Sequence, residues 1–286
     1  MKFRELILQE KKIVSSLTGV RLEEIVYNDL GWTSRIYVIN QGEIVFKFPR
    51  TQKIIQEYMK EIQIYYLLND INIGVGIPQV RWQDSELRYF GYAGIPGATL
   101  DICLNELTTD TKVKIGKILG LFLKKLHTLD LKDANTYNIK DEIAEFQEIF
   151  RRGENEIQTA FTKKKFLNIK NFVFQEFPEK VLKLGLSKAL CHSDLGFWNI
   201  IYNPSGNIGI IDFGDVSYCD FSRDFIGLSD PTILESALIT YGEDSKLREK
   251  IILRMKSLPI LELPFFLKKK DRVGFKKSLK RIEDSF

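Results

Sequence analysis

The chain has 286 residues, 44% of them hydrophobic and 28% charged, and its 42 basic and 38 acidic side chains give a net charge of +4. That length supports two modest lobes with ordinary cores, and so even a charge balance excludes a strongly basic nucleic-acid binder. No apolar run is long enough to span a membrane, and the opening MKFRELILQEKK lacks the apolar segment of a signal peptide. A cytoplasmic monomer acting on a small molecule is therefore expected, with neither nucleic acid nor membrane as partner. The cysteines are three (Cys103, Cys191, Cys219) without CxxC spacing, which argues against a disulfide framework or a structural zinc site.

Residues 1–20 read as a helix. EEIVYNDL, SRIYVIN and EIVFKFPR follow as short β-rich runs, with NQG as a tight hairpin turn. Thr51 is placed to cap a helix through IIQEYMKEIQIYYLLND, whose apolar residues recur at three and four. IPQVRW and LRYFGYA add two strands. A small five-stranded antiparallel lobe with one helix is thus expected over residues 1–93. GIPGATL is a connector, and residues 94–286 form a larger, mostly helical lobe. Its helical patterns begin with TDTKVKIGKILGLFLKKLHTL, DEIAEFQEIF and FLNIKNFVFQEFPEKVLKL. The β signal returns only at ALCHSD, NIIYN and IGIIDF. The fold class is α+β and two-lobed, and a cleft between lobes is the natural ligand site.

The chemistry gathers in CHSDLGFWN and IIDFGD. Cys191 and His192 are strand neighbours whose side chains point to opposite faces, so they cannot form a thiol–imidazole pair. NIIYNPSGNIGIIDF reads as a hairpin, which returns Asp212 close to Asn199. Asn199 and Asp212 then offer hard oxygens suited to Mg²⁺. Asp194 is left to accept a hydrogen bond from a hydroxyl nucleophile, as phosphoryl transfer requires. Lys47, on the Val45 face of a strand, needs a buried partner. The next helix supplies Glu61, with Glu57 one turn earlier as the alternative. In DLGWTSR (29–35), backbone N–H groups with Thr33 and Ser34 are candidates for phosphate contacts.

HSDLGFWN…IIDFGD resembles the H-x-D-x-x-x-x-N and I-D-F-G-D signatures of the aminoglycoside phosphotransferases, which share the protein-kinase-like fold. FKFP, KEIQIYYLL and CDFSRDF resemble segments of the 2''-phosphotransferase branch. The resemblance implies that Asp194 is the catalytic base, that His192 braces its loop, and that Asn199 and Asp212 hold Mg²⁺. It implies that Lys47 contacts the nucleotide α/β-phosphates and pairs with Glu61, and that Asp220 and Asp224 support the loop, a place that simple helix capping also explains. Tyr92 would back the nucleobase pocket, with Ala93 to Ile95 offering backbone groups. A bulky residue there favours guanine, so GTP is the expected donor, with ATP as the alternative.

A polycationic aminoglycoside needs carboxylates around it, and the candidates are Asp215, Asp230, Glu235 and the acidic helix 141–156. Where the resemblance implies an aromatic–glutamate pair near the C-terminus, this chain reads LPFFLKKKD. The expected activity is transfer of a γ-phosphate from GTP or ATP to an aminoglycoside hydroxyl, at the 2'' position, giving antibiotic resistance. The alternatives are a kinase for another small hydroxylated metabolite or antibiotic, and a silent nucleotide-binding module. No A-P-E segment follows Asp212, which argues against a protein kinase.

Overall fold

The computed structural model describes residues 3–29, 31, 33–132, 134–242 and 245–286. In chain order the elements are α1 (Phe3–Thr18), β1 (Val26–Asn28), β2 (Ser34–Ile39), β3 (Ile44–Pro49), α2 (Ile55–Asp70), β4 (Gln79–Gln83), β5 (Phe90–Ala93), β6 (Ala98–Thr99), α3 (Leu100–Cys103) and α4 (Thr109–Leu126). They continue as β7 (Asn135–Thr136), α5 (Ile139–Ala160), α6 (Lys163–Asn171), α7 (Phe177–Leu184), β8 (Lys188–Cys191), β9 (Ile200–Tyr202), β10 (Ile208–Ile210), β11 (Ser217–Asp220), α8 (Pro231–Tyr241), α9 (Ser245–Lys269) and α10 (Arg272–Ser285). Two compact units result: residues 1–134, 192–216 and 227–241 form one, and residues 135–191, 217–226 and 242–286 the other. No described helix is long and apolar enough to cross a membrane.

The first unit carries the expected five-stranded antiparallel sheet, in the order β1-β2-β3-β5-β4. The NQG turn has Asn40, Gln41 and Gly42 all at positive φ (49°, 55° and 103°), which carries β2 back into β3. Strand alternation then sorts β3. Phe46 and Phe48 join Val14 of α1 with Ile25, Tyr37 and Ile39 in one apolar cluster, while Lys47 leaves on the opposite face. Thr51 does not cap α2: its side chain makes no cap bond, because a 3₁₀ turn at Gln52–Ile54 leads the chain into the helix. Further on, α4 is capped by Thr108, whose hydroxyl accepts the Thr111 N–H. It packs along α8 at Gly116 and Gly120, where a Cβ would lie 2.4 Å from the carbonyl oxygens of Ile233 and Ala237. β9 and β10 form the expected hairpin, and β6 adds to the β9 edge.

The second unit packs α5, α6, α7, α9 and α10 around Phe146, Phe150, Phe172, Phe177, Ile260 and Ile282. The long helical pattern at 166–184 is part of α6 and all of α7, joined by a π turn at Phe172–Glu176, just before Pro178. A buried charged network sits beside the small β7-β11-β8 sheet. Lys250 donates to Asp220 (2.7 Å) and Ser187 (2.9 Å), and Arg254 grips Glu142 through two bonds of 2.7 Å and donates to Ser222. Burial pushes the Asp220 carboxyl up, but Arg254, Lys250 and neighbouring N–H and O–H donors outweigh it and hold the group low. Asp220 also accepts from the Ser222 N–H at the start of the turn Phe221–Phe225, the capping role its position suggested.

Candidate active site

The pleat of β3 turns Lys47 toward α2, and the helical period brings Glu61 to it. The ammonium donates to both Glu61 oxygens (2.8 and 2.7 Å) and to Asp212 Oδ1 (2.8 Å). Of the two candidate glutamates, Glu61 is therefore the partner. Glu57 stays half-buried one turn earlier, its carboxyl raised by burial and by the nearby Asp215. Burial works against the Lys47 ammonium, but Asp212 and then Glu61 hold its pKa well above the free value. The same lysine pulls the Asp212 carboxyl down. Glu61 feels burial pushing its carboxyl up against the pull of Lys47.

β8 ends at Cys191, a buried thiol bonded to the Ala189 and Cys219 carbonyls, its pKa raised well above normal by burial. His192 follows, fully buried. Its Nε2 donates to the Ile211 carbonyl (3.0 Å) and its Nδ1 accepts the Asp194 N–H (3.3 Å), so the Nε2–H tautomer satisfies both bonds. These two bonds tie the Asp194 loop to the strand that leads into Asp212. Ser193 takes positive φ (71°), fitting the sharp turn in HSD. Asn199 Nδ2 donates to the Asp194 carbonyl (2.9 Å) and carboxylate (3.0 Å), and Trp198 Nε1 donates to the same carboxylate (3.4 Å). Burial raises the Asp194 carboxyl; His192 opposes the rise, Asp215 adds to it, the Trp198 bond opposes it, and Asp212 adds to it.

The hairpin closes as its sequence suggested: the Ile211 N–H donates to the Asn199 carbonyl (3.0 Å), and Asp212 follows. The Asn199 amide nitrogen is on Asp194, and the amide's other atom is an oxygen acceptor. The Asp212 side chain is 51% exposed and has one oxygen on Lys47. An amide oxygen and a carboxylate form a hard donor set that fits Mg²⁺. Asp212 itself is left-handed (φ 64°, ψ 64°), a conformation that costs a non-glycine residue roughly 1–3 kcal/mol. Tyr65, one turn after Glu61, meets that residue: its hydroxyl donates to Glu61 (2.7 Å) and accepts the Asp212 N–H (3.1 Å).

The nucleotide-side candidates divide. Of DLGWTSR, Leu30 and Trp32 lie outside the described residues. The Thr33 carbonyl accepts the Arg50 N–H (2.8 Å), and the Arg50 guanidinium binds the Gly31 carbonyl (3.1 Å) and the Asp29 carboxylate. Ser34 is turned inward, 1% exposed, with its hydroxyl accepting from Tyr58 (2.7 Å), so the phosphate contact expected of it is not available. Tyr92 is buried against the rings of Phe90 and Tyr65. Between Ala93 and Ile95, the Gly94 N–H is already donated to the Glu43 carbonyl (2.8 Å), and a Cβ on Gly94 would sit 1.9 Å from the Gly42 oxygen.

The three acidic substrate candidates do not share one setting. Asp215 and Glu235 are exposed. Asp230 is engaged: it pairs with Lys112 (2.8 Å) and accepts the N–H groups of Thr232 and Ile233 at the start of α8. It therefore caps a helix and is not free to receive an ammonium group. Sequence reasoning missed Tyr65, Arg50, Trp198 and Lys112. Trp198 carried a signal, standing between Asp194 and Asn199 in HSDLGFWN; the others look like core or solvent residues until folded.

A lysine locked between a helix carboxylate and a strand-end carboxylate, beside a braced aspartate loop, is the machinery of phosphoryl transfer. A model of the phosphotransferase enzyme family (APH) matches residues 24–249, and the chain belongs to that family. Among solved structures, the GDP and kanamycin complex of APH(2'')-IIIa superposes with a TM-score of 0.80 at 20% identity, covering 97% of this chain and 98% of that one. The streptomycin–ATP complex of APH(2'')-IIa gives 0.69 at 20% identity (96% and 95% covered), and the choline kinase LicA from Streptococcus pneumoniae gives 0.61 at 18% (96% and 98%). The fold is thus the kinase-like α+β fold of those enzymes. A comparison with curated protein sequences finds none that matches.

Proposed function

We propose that this phosphotransferase moves the γ-phosphate of GTP or ATP to a hydroxyl of an aminoglycoside, at the 2'' position, and thereby confers resistance. The observation that carries the reading is the Lys47–Glu61–Asp212 cluster, built on the hairpin that also holds Asn199 against Asp194. Lys47 binds donor phosphates, and Tyr92 with the chain around Ala93 and Ile95 receives the base. Asn199 and Asp212 would hold Mg²⁺, which when bound neutralises charge on the phosphates. Asp194 orients the acceptor hydroxyl and takes its proton, helped by a pKa lifted toward the working range. The aminoglycoside assignment draws on the kanamycin- and streptomycin-bound relatives; of the acidic candidates, Asp215 and Glu235 are exposed.

A second reading, a kinase for a different small alcohol, has its own support. Asp230 is consumed by Lys112, and residues 268–281 place eight basic side chains against a single acid, a poor surface for a polycation. The test is turnover of GTP and ATP with Mg²⁺ against a panel of aminoglycosides, with choline, homoserine and macrolides alongside. Stimulation by an aminoglycoside is expected. Stimulation by a control alcohol alone transfers the assignment to the second reading, and none by any acceptor overturns both.

A further inference from the structure

Asp212 combines two features that seldom coincide in a non-glycine residue: a left-handed backbone and a side chain committed to a buried lysine. Something must hold that backbone in place. The Tyr65 hydroxyl is the group that touches it. Fully buried, it donates to Glu61 Oε1 (2.7 Å) and accepts the Asp212 N–H (3.1 Å). Its ring lies 5.8 Å, centroid to centroid, from both Phe213 and Tyr92. One phenol therefore joins the glutamate that orients Lys47, the backbone of the residue offered to the metal, and the residue placed behind the base.

From this arrangement we propose that Tyr65 is a positioning residue for metal-nucleotide binding: its hydroxyl fixes Asp212 in the left-handed conformation that aims the carboxylate at Lys47 and the metal. The inference rests on the phosphotransferase reading and deepens it. Without the hydroxyl, the Asp212 N–H loses the partner it has on the fully buried Tyr65, and the left-handed backbone loses that restraint. Nothing in α2 replaces it, because Tyr66, the next residue, points outward and is 48% exposed.

The experiment is calorimetric titration of GTP and ATP over a range of Mg²⁺ concentrations, on the unmodified protein, Tyr65→Phe, Tyr65→Met and, as control, Tyr66→Phe. The Phe variant keeps the ring contacts and deletes one oxygen. It is expected to raise the Mg²⁺ concentration for half-maximal nucleotide binding about tenfold, the scale of one lost buried hydrogen bond. Metal-free nucleotide binding should change less than twofold, and kcat should fall with KM for the acceptor unchanged. Tyr65→Met should show the same metal defect, and Tyr66→Phe none. A metal dependence unchanged in Tyr65→Phe, or a defect confined to Tyr65→Met, assigns the residue to ring packing and overturns the inference alone. Failure of the unmodified protein to bind nucleotide with Mg²⁺ overturns the phosphotransferase reading with it.

Discussion

Asp194 shows how a single carboxylate is tuned by its loop. Burial raises its pKa, and Asp215 and Asp212 add to the rise. His192 and the Trp198 bond restrain it. A base whose folded pKa lies above the free value is neutralised at a higher pH than an exposed aspartate would be. Activity should therefore fall on acidification at a higher pH than an exposed aspartate would set. Trp198→Phe removes a donor that favours the anion, so the acid limb of the kcat/KM profile should move to higher pH; an unmoved limb removes Asp194 from the role of titrating base. Asp194→Asn should lower kcat by at least about 10²-fold, the usual contribution of a positioned general base, with nucleotide affinity in calorimetry little altered.

At the scale of elements, the contact of α4 with α8 has little tolerance. Gly120 presses its backbone to the Ala237 carbonyl, and an added methyl would lie 2.4 Å away, against backbone that cannot rotate aside. Gly120→Ala should destabilise by about 1–3 kcal/mol, the cost of overpacking, which chemical denaturation would read. Had it raised stability through helix propensity instead, the packing would be looser than described. The long amphipathic patterns of α4 and α5 were legible because many residues repeat one period. The strands β6, β7 and β11 were not: two to four residues carry no period, and their pairing is settled by distant partners (Ala98 with Tyr202, Ser217 with Asn135). The link of α6 to α7 by a π turn was likewise hidden inside one helical pattern.

For the molecule as a whole, ligand linkage is the relevant quantity. A nucleotide that binds the folded protein alone, at 100 times its dissociation constant, adds about 2.7 kcal/mol of stability. For a chain of this size that is a rise in Tm on the order of 5 °C. Mg²⁺ with GTP should produce it in thermal unfolding, and Lys47→Met should abolish most of it by removing the phosphate cation; an equal shift in that variant would place the nucleotide elsewhere. The uneven charge is also a property of the whole: the net charge is +4 and residues 268–281 carry +7, so the rest of the chain is net negative. Of that stretch, Arg281 is paired with Glu262, and Lys280 with Glu283 and Asp284.

The sequence alone determined the residues whose chemistry has no substitute. Asp194, Asn199 and Asp212 stood out because a carboxylate, an amide and a second carboxylate joined by a hairpin have few uses, and Lys47 because a lysine on an apolar strand face demands a partner. The helical period narrowed that partner to Glu57 or Glu61. What only the tertiary structure decided was which groups are already spent. Ser34 bonds Tyr58, Asp230 bonds Lys112, and the Gly94 N–H bonds Glu43, so three plausible ligand contacts are consumed within the fold. Tyr65 is the converse case: an aromatic one turn from a buried glutamate reads as core, and its hydroxyl gains meaning only when Asp212, 147 positions later in the chain, arrives beside it. Local pattern records what a residue can bond, whereas the long-range contacts of the folded chain settle what it does bond.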